Sequence, residues 1–441
     1  MPDIKIKPPG YHNIVRQDIL DKIPPHARKV LDLGCGSGAL GAALKKRQEC
    51  EVRGLEMNPA AYAQAGRNLD ICLCGNLDKF DPDKFPGLYD VIIFGDILEH
   101  VIDPWNALRR YSEKLKKDGI IVASIPNAAH PAVLYDLSRG LFRYRSAGLL
   151  DVTHLRFFTL PTIGQMFIKA GLKIFDIEPR PNPNHHYQYI ISARPLKTKF
   201  DKFTTTIIMP VRNALDYTRI AVQSIREHTQ CPYKLIIIND GSDAETTAWI
   251  NDQTDVLSLQ NIHSLGFPTA CNLGLECVDT PFCMIINSDV KVTPGWLCKM
   301  LATMSANENI GILGPMTNRA SGPQVDTGIN YRNDQELNAY AKKLEMGYRP
   351  RLKTFERIVF FCALIRSELI SKIGLLDESF GLGNFEDDDY CIRSIKAGYK
   401  NVIDQGVFVH HYGSQTFKTQ NLDYVKIMKT AEARFRAKWG L

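Results

Sequence analysis

The sequence predicts two α/β domains in tandem, and three observations lead to this prediction. Strand-like apolar runs alternate with helical segments along the chain, which is typical of parallel sheets covered by helices on both faces. A seam rich in Pro and Asn between Glu178 and Thr204 interrupts the alternation. The chain has 441 residues, enough for two or three domains of about 150 residues each. We therefore expect a first domain over residues 1–197, a linker over 198–203 and a second domain over 204–441.

Predicted strands and helices alternate on both sides of this seam. In the first domain, we expect strands at Val30–Leu33, Val52–Leu55, Val91–Phe94 and Ile120–Ser124, and helices at Ala39–Arg47, Ala60–Leu69 and near Pro104–Leu115. In the second domain, we expect strands at Ile207, Leu235–Ile238 and Met284–Ile286, and helices from Tyr217 and Thr269. Each half is therefore expected to build a sheet of its own.

Composition excludes several classes of protein. The apolar fraction of 44% and the near balance of 54 Lys plus Arg against 48 Asp plus Glu argue against disorder. A net charge of +6 without any basic block argues against a nucleic-acid groove. No run approaches the ~20 apolar residues of a membrane span, and the N-terminus lacks a signal-peptide core. The 11 scattered cysteines predict free thiols and a cytoplasmic protein, with peripheral contact at the inner face of the membrane left open.

A glycine-rich turn follows the first predicted strand, in the run Val30-Leu-Asp-Leu-Gly-Cys-Gly-Ser-Gly38. Its glycines let the backbone bend and approach a ligand, and Glu56 ends the next strand, where it can bind ribose hydroxyls. This pattern also fits a dinucleotide fingerprint. Asp32 favours a cationic ligand, because a carboxylate in the crevice attracts the amino end of S-adenosylmethionine and repels a pyrophosphate.

Further motifs make the first 197 residues resemble the class I S-adenosylmethionine-dependent methyltransferases, which have a Rossmann-like fold. These motifs are Asp32-Leu-Gly-Cys-Gly-Ser-Gly38, Phe94-Gly-Asp-Ile-Leu-Glu-His100, Lys117-Asp-Gly119, Ile125-Pro-Asn127 and Asp151-Val-Thr-His-Leu-Arg-Phe-Phe-Thr159. The resemblance implies a cofactor site for S-adenosylmethionine formed by Asp32, Gly34, Gly36, Gly38, Glu56 and Asn76. Asn76 stands where relatives often carry Asp beside the adenine.

Methylation of a hydroxyl requires a proton acceptor. His100 and His154 are the candidates for this catalytic role, and the alternative for each is a hydrogen-bonded structural histidine. The Asp/Asn-Pro-Pro-Tyr turn typical of enzymes that methylate planar amino groups is absent after the fourth strand. The sequence therefore favours methylation of oxygen over methylation of a nucleobase amine.

The second half contains five motifs that are separated along the chain. They are Ile207-Ile-Met-Pro-Val-Arg-Asn213, Ile236-Ile-Ile-Asn-Asp-Gly-Ser-Asp243, Leu265-Gly-Phe-Pro-Thr-Ala-Cys-Asn-Leu-Gly274, Ile285-Ile-Asn-Ser-Asp289, and Phe385-Glu-Asp-Asp-Asp-Tyr-Cys-Ile-Arg393, followed by Val409-His-His-Tyr-Gly-Ser414. Together they are similar to inverting family 2 glycosyltransferases with the GT-A fold, from residue 204 to about residue 417. The resemblance implies a nucleotide-diphosphate sugar as donor.

Displacement of a nucleoside diphosphate concentrates negative charge on the leaving group, which a divalent cation can neutralise. The resemblance assigns Asp289 as the ligand of Mn²⁺ or Mg²⁺, with His411 or His410 completing the site. The first carboxylate of the usual Asp-x-Asp motif is replaced by Asn287, which is expected to contact ribose or reach the metal through water. Four further residues are expected to frame the nucleotide pocket: Pro210, Arg212, Asp240 and Asn272, with Asp240 pairing with the base ring.

The acceptor hydroxyl must lose a proton as it attacks. Glu386 and Asp387 match the base motif of the family, with Asp387 as the catalytic residue. The alternative for this acidic run is a solvated helix start favoured by the helix dipole. The i, i+4 spacing of Asp389 and Arg393 predicts a structural ion pair.

The leading hypothesis is a bifunctional enzyme that transfers a sugar to a glycan or lipid-linked glycan and methylates a sugar or glycan, in bacterial surface polysaccharide synthesis. One alternative is a glycosyltransferase with a non-catalytic module that binds S-adenosylmethionine. Another is an enzyme that hypermodifies nucleic-acid bases, which the weak charge excess and the missing amine-methylation turn disfavour.

Overall fold

The computed structural model describes residues 13–182, 185–198, 202–329, 331–345, 348–413 and 424–441. The chain divides into two compact units, Met1–Lys197 and Thr198–Leu441. Across the described part of the chain, no helix has both the length and the apolar character needed to cross a bilayer.

The first unit is built on a seven-stranded sheet with the order β3-β2-β1-β4-β5-β7-β6. All neighbouring strands are parallel except β7, which runs antiparallel to β5 and β6. The strands are β1 (Lys29–Leu33), β2 (Glu51–Glu56), β3 (Ile71–Cys74), β4 (Tyr89–Gly95), β5 (Leu115–Pro126), β6 (Leu172–Asn182) and β7 (His185–Pro195). The helices are α1 (Gln17–Leu20), α2 (Ala39–Arg47), α3 (Pro59–Asn68), α4 (Pro104–Ser112), α5 (Pro131–Ser138) and α6 (Leu160–Lys169).

Both faces of this sheet carry a hydrophobic core. Successive side chains of a strand point to opposite faces, so Leu31 and Leu33 enter one core while Val30 enters the other. Asp32 shares the face of Val30 and is 4% exposed. The apolar strand runs are therefore explained by burial on both sides, and Asp32 is a charged exception within them.

The second unit contains a mixed sheet with the order β10-β9-β8-β11-β15-β13-β16-β12, and β14 pairs with β16. β8 to β11 are mutually parallel, and β15 lies antiparallel between β11 and β13. The strands are β8 (Thr205–Val211), β9 (Tyr233–Asp240), β10 (Val256–Asn261), β11 (Phe282–Ile286), β12 (Val290–Lys291), β13 (Ile310–Thr317), β14 (Leu352–Phe355), β15 (Cys362–Arg366) and β16 (Lys400–His411). The helices are α7 (Leu215–His228), α8 (Ala244–Asp252), α9 (Phe267–Leu275), α10 (Trp296–Ala306), α11 (Asp334–Glu345), α12 (Ser367–Ile373), α13 (Glu386–Lys396) and α14 (Tyr424–Trp439).

The predicted fold class of two α/β domains is confirmed, and the helix predicted at Ala39–Arg47 has these bounds in the structure. The prediction of free thiols is wrong for one pair, because Cys231 and Cys298 form a disulfide. Their Cα atoms lie 5.7 Å apart although 67 residues separate them along the chain. Packing of α10 beside the end of α7 brings the two together, and no local pattern in the sequence reveals it.

Candidate active sites

A cavity of about 710 Å³ opens at the carboxyl ends of β1, β2 and β4 in the first unit. Such a position is where open α/β sheets bind ligands. Six of the residues predicted for cofactor binding or catalysis line this cavity: Asp32, Gly34, Gly36, Glu56, Asn76 and His100. Gly38 and His154 are not among the lining residues.

The glycine-rich turn forms the cavity wall because of its backbone conformation. Gly34, Gly36 and Gly38 all have positive φ angles, +74°, +54° and +76°, where a side chain would be strained. The amide of Gly36 donates to Glu56 Oε2 over 2.8 Å, and the amide of Asn58 donates to Oε1 over 2.7 Å. The carboxylate of Glu56 therefore ties the turn after β1 to the loop after β2.

Asp32 lies deep in the cavity wall with only 4% of its surface exposed. Burial, and then the charge of Glu56, raise the pKa of Asp32 to about 7. Burial and the charge of Glu56 both disfavour the ionised form of Asp32. A cationic group bound beside Asp32 would offset both effects, because an opposite charge favours the ionised carboxylate. The electrostatics therefore favour a positively charged ligand at this position.

Arg16 is a cavity residue that the sequence analysis missed. Its guanidinium binds the carboxylates of Asp18, at 2.9 Å, and Asp96, and it donates to Ser124 Oγ over 3.0 Å. Asp96 adopts a positive φ of 52°. Arg16 precedes every recognised motif, and only the fold brings it to the end of β4, so sequence spacing gives no signal for it.

The two candidate histidines of the first unit lie together. His100 faces the cavity, and its ring contacts that of His154 edge to face with centroids 4.8 Å apart. Asn76 also lies on the cavity wall, where its side-chain oxygen accepts the amide of Asp78 over 2.8 Å. Asn76 follows β3 and His100 follows β4, so strands β2 and β1 separate the two residues in the order of the sheet.

In the second unit, Asp289 and His411 meet directly. Asp289 follows β11 and is 5% exposed, and its Oδ1 lies 3.2 Å from Nε2 of His411 at the end of β16. Nδ1 of His411 donates to the carbonyl of Arg319 over 2.8 Å, and the ring stacks on Phe361 with centroids 5.1 Å apart. In the neutral ring this backbone bond places the proton on Nδ1, which leaves the lone pair that a metal ion needs on Nε2.

His410 lies in a different environment from His411. Neighbouring residues of a strand point to opposite faces, and Nδ1 of His410 bonds the hydroxyl of Tyr331. Burial, and then the charge of His411, lower the pKa of His410. Asp289 is therefore brought together with His411, as predicted first, while His410 belongs to an aromatic cluster with Tyr331 and Tyr412.

Asn287 stands at the carboxyl end of β11 near this pair. Its amide donates to the carbonyl of Phe361 over 2.9 Å. Its side-chain Oδ1 is buried and has no hydrogen-bond partner among the described residues, and the same holds for Nε2 of His411. Two buried acceptors beside a carboxylate form a donor set that suits a divalent cation.

The acidic run predicted as the base motif begins α13. Asn384 and Phe385, which precede it, have positive φ angles of 79° and 68°, an unfavourable conformation for residues with a side chain. Glu386 and Asp387 are each 5% exposed. The turn thus holds two carboxylates in the interior, and the alternative of a solvated helix start does not fit this burial.

The carboxylates of this run differ in their partners. Asp387 Oδ2 accepts the amide of Phe360 over 3.4 Å, while Asp388 pairs with Arg357 at 2.9 Å. Burial, and then the charge of Asp387, raise the pKa of Glu386 well above its usual range and that of Asp388 to about 7. The pKa values of both sequence neighbours of Asp387 are therefore raised.

Phe360 and Phe361 connect the two parts of the second site. The amide of Phe360 contacts Asp387, and the ring of Phe361 stacks on His411, which in turn contacts Asp289. Consecutive Cα atoms are 3.8 Å apart. The candidate base and the candidate metal ligand His411 therefore both contact the dipeptide that immediately precedes β15.

Asp240 and Asn272 hold loops together. Asp240 accepts four hydrogen bonds from Asn261, Ser264, Leu265 and Gly266, between 2.6 and 3.2 Å. Asn272 bonds the backbone of Leu376 in both directions and the carboxylate of Glu378. Both side chains are buried and engaged, so contact of either with a nucleotide stays a prediction. Pro210 and Arg212 lie half-buried at the end of β8.

The loop that Asp240 holds packs against the turn before α13. A Cβ atom on Gly266 would lie 2.1 Å from the carbonyl oxygen of Gly381, and the positive φ of Gly266, 91°, also favours glycine. Asp240 thus supports the turn that presents Asp387, through one intervening loop.

The last helix fixes the other side of that turn. Asp389 is fully buried and accepts from Arg393 at 2.8 Å, as the i, i+4 spacing predicts, and from Lys438 at 2.6 Å and Trp439 at 3.2 Å. The ring of Phe435 lies 5.3 Å from that of Phe385. These contacts of α14 were missed because more than 40 residues separate the partners along the chain.

Comparison with known proteins assigns both halves. Residues 13–177 match the model described as "Methyltransferase domain", and residues 206–374 match "Glycosyl transferase family 2". The chain carries a methyltransferase domain followed by a family 2 glycosyl transferase domain. The predicted resemblance of each half is therefore confirmed.

Curated relatives match one half each. The chain is similar to a pre-mycofactocin glycosyltransferase of Mycobacterium tuberculosis, 28% identical over 50% of this chain and 44% of the relative. It is also similar to a ubiquinone biosynthesis O-methyltransferase of Pseudomonas aeruginosa, 29% identical over 34% of this chain and 66% of the relative. The chain thus spans less than two thirds of the length of these relatives. A solved structure of GalNAc-T7 with UDP, GalNAc and Mn²⁺ covers 49% of this chain and 47% of its own, at 14% identity and a TM-score of 0.39.

Replacing Asp240 tests its supporting role. In Asp240→Asn, an NH₂ group replaces one of the two oxygens that accept hydrogen bonds from the loop. Some of the buried donors then lose their acceptor, so the free energy of unfolding should fall by about 2–4 kcal/mol. Urea unfolding of the full chain measures the loss, with Asp252→Asn at the exposed end of α8 as the matched control. Equal midpoints for the two variants would contradict this role.

Proposed function

We propose that the protein is a bifunctional glycan-modifying enzyme. The second domain transfers a sugar from a nucleotide-diphosphate donor to a glycan hydroxyl with inversion, and the first methylates a sugar or glycan hydroxyl with S-adenosylmethionine. The observation that carries the proposal is the arrangement around Phe360 and Phe361, where Asp387 lies on one side and the Asp289–His411 pair on the other.

Asp289 and His411 would hold a divalent cation, Mn²⁺ or Mg²⁺. When bound, the cation neutralises the charge of the departing diphosphate. The buried acceptors of His411 and Asn287, which have no partner among the described residues, fit this group. With one carboxylate in the motif, Asn287 contacts the donor ribose or a metal-bound water. Pro210 and Arg212, at the end of β8, frame the nucleotide.

Asp387 would remove the proton of the acceptor hydroxyl. Its Oδ2 is held by the amide of Phe360, with Arg357 at 4.0 Å. These contacts keep the carboxylate oriented, and its burial excludes competing water. Attack from this side, opposite the leaving diphosphate, inverts the anomeric carbon. Burial, and then the charge of Asp387, raise the pKa of Glu386, which favours the neutral form of this neighbour of the base.

The first domain would bind S-adenosylmethionine in the cavity of the glycine-rich turn. When bound, the cofactor supplies a methyl group on a positively charged sulfur. Asp32 fits its cationic amino end, Glu56 fits the ribose hydroxyls, and Asn76 fits the adenine amino group. Arg16 lines the same cavity, where its guanidinium is already paired with the carboxylates of Asp18 and Asp96.

The proposed acceptors are glycans or lipid-linked glycans of bacterial surface polysaccharide. The relatives support sugar transfer for one domain and methylation of oxygen for the other. No charge pattern of the sequence favours nucleic acid, since the net charge is only +6. Sugar transfer is the better supported of the two proposed activities, because the candidate base and the candidate metal ligands lie around one dipeptide.

The base assignment is tested with Asp387→Asn. Loss of a positioned base should lower kcat by roughly 10²–10⁴-fold with little change in KM. Release of nucleoside diphosphate from a panel of nucleotide sugars with Mn²⁺ and glycan acceptors measures the rate. Asp388→Asn, one residue away and paired with Arg357, is the control and should lose far less. A parent protein without release, or an Asp387→Asn variant as fast as the parent, would refute the assignment.

The two adjacent histidines make a second test. His411→Asn removes a proposed ligand, so half-maximal activity should require more than about 10-fold higher Mn²⁺. His410→Asn disturbs the contacts with Tyr331 and Tyr412 and should leave the Mn²⁺ dependence close to that of the parent. If His410→Asn has the larger effect, the metal site has been placed on the wrong histidine.

Cofactor affinity should depend on pH because of Asp32. Its pKa is raised to about 7, so below pH 7 the group is neutral and no longer attracts the cationic amino end. S-adenosylmethionine should therefore bind about 10-fold tighter at pH 8 than at pH 6. Calorimetry measures this, with exposed Asp118→Asn as the control that keeps the slope.

In Asp32→Asn, binding should be weaker and independent of pH over the same range. A parent protein that does not bind the cofactor would sink the methyltransferase half. Binding without methyl transfer to any glycan acceptor would favour the non-catalytic module instead.

A further inference from the structure

We propose that Glu99, His100 and His154 form a second divalent-metal site, at the edge of the proposed methyl-donor cavity. One ligand atom from each of the three residues lies within 4.8 Å of the other two. Oε1 of Glu99 is 4.0 Å from Nε2 of His154. Two imidazoles and one carboxylate are a common ligand set for Zn²⁺, Mn²⁺ and Fe²⁺.

The tautomers of both histidines suit this role. Nδ1 of His100 bonds the carbonyl of Thr153 over 3.0 Å, and Nδ1 of His154 bonds the carbonyl of Leu149 over 3.1 Å. In each neutral ring, Nδ1 is then the donor and the lone pair lies on Nε2. Metal-binding histidines use the same arrangement, in which a backbone carbonyl orients the ring.

Backbone contacts hold the two halves of the site together without help from a metal. The carbonyl of Glu99 accepts the amides of Leu155 and Arg156, at 2.8 and 3.1 Å. Asp151, which is buried, accepts the amide and the hydroxyl of Thr153. The short helix Leu98–His100 is therefore fastened to the segment that carries His154, and the three side chains converge on a preformed frame.

The side-chain atoms would move little on binding. Metal–ligand bonds of about 2.1 Å place neighbouring ligand atoms roughly 3–3.5 Å apart. Closing from the present spacing, 4.8 Å at most, requires movements of about 1 Å, which side-chain rotation can supply. Glu99 is 1% exposed, and a buried carboxylate beside two imidazoles gains strongly from a cation.

The location indicates what the metal does, and this part rests on the proposed function. His100 and Thr153 line the same cavity as Asp32 and Glu56. A cation there would bind one or two adjacent sugar hydroxyls and lower their pKa. The acceptor oxygen then forms a bond to the methyl carbon, the carbon–sulfur electron pair returns to sulfur, and the hydroxyl proton passes to water.

Cobalt binding tests the site directly. The full chain, stripped of metals with a chelator, is titrated with Co²⁺ and followed by the visible absorption that nitrogen and carboxylate ligands produce. Glu99→Gln should lose one equivalent, with more than 10-fold weaker binding at that site. Exposed Glu113→Gln should match the parent. Asp289→Asn should lose the Co²⁺ ion that binds in the second domain and keep the Co²⁺ ion that binds at Glu99, His100 and His154.

Calorimetry with S-adenosylmethionine separates failure of this proposal from failure of the proposed function. If the parent and Glu99→Gln bind the cofactor equally and also bind Co²⁺ equally, the metal site is refuted while the methyltransferase proposal stands. If Glu99→Gln no longer binds the cofactor, His154→Gln is compared with the parent in the same way. Loss of one Co²⁺ equivalent with the cofactor still bound supports the site.

Discussion

A buried carboxylate must be paired, and in both units the backbone of a neighbouring loop provides the donors. Glu56 ends β2 and is bound by the amides of Gly36 and Asn58. Asp240 ends β9 and is bound by the loop that reaches Gly266. An unpaired carboxylate at such a depth would cost several kcal/mol. This requirement shapes the loops at the carboxyl ends of the strands, where both sites lie.

Much of the fold could be predicted because each half repeats one pattern. Strands that are buried on both faces consist of consecutive apolar residues. A glycine-rich turn precedes helix α2 and predicts where this helix begins. Two separate motifs named Asp289 and His411 as candidate metal ligands, with His410 as the alternative. Asp289 and His411 are in contact in the structure, and their metal-binding role stays a prediction. Such positions can be predicted because the residues lie at the ends of strands, and the order of strands and motifs along the chain marks these ends.

The remaining contacts depend on distant partners. Arg16 reaches the cavity from the segment before β1, and Lys438 reaches Asp389 from the last helix. Cys231 and Cys298 meet only through helix packing. Asp240 was expected beside a nucleotide. In the structure it binds the loop that reaches Gly266, and its contact with a nucleotide stays a prediction. Local spacing carries no information on such pairings.

The matched span of the glycosyl transferase family, residues 206–374, ends before Asp387 and His411. Both residues therefore lie beyond the matched span, although they contact Phe360 and Phe361 inside it. Phe435 rests on Phe385, one of two residues held in the left-handed backbone region, a conformation that costs about 1–3 kcal/mol for each residue. Trimming the chain before Phe435 would let this turn relax into an ordinary conformation. Asp387, the candidate base that follows this turn, would then lose the orientation that the turn gives it.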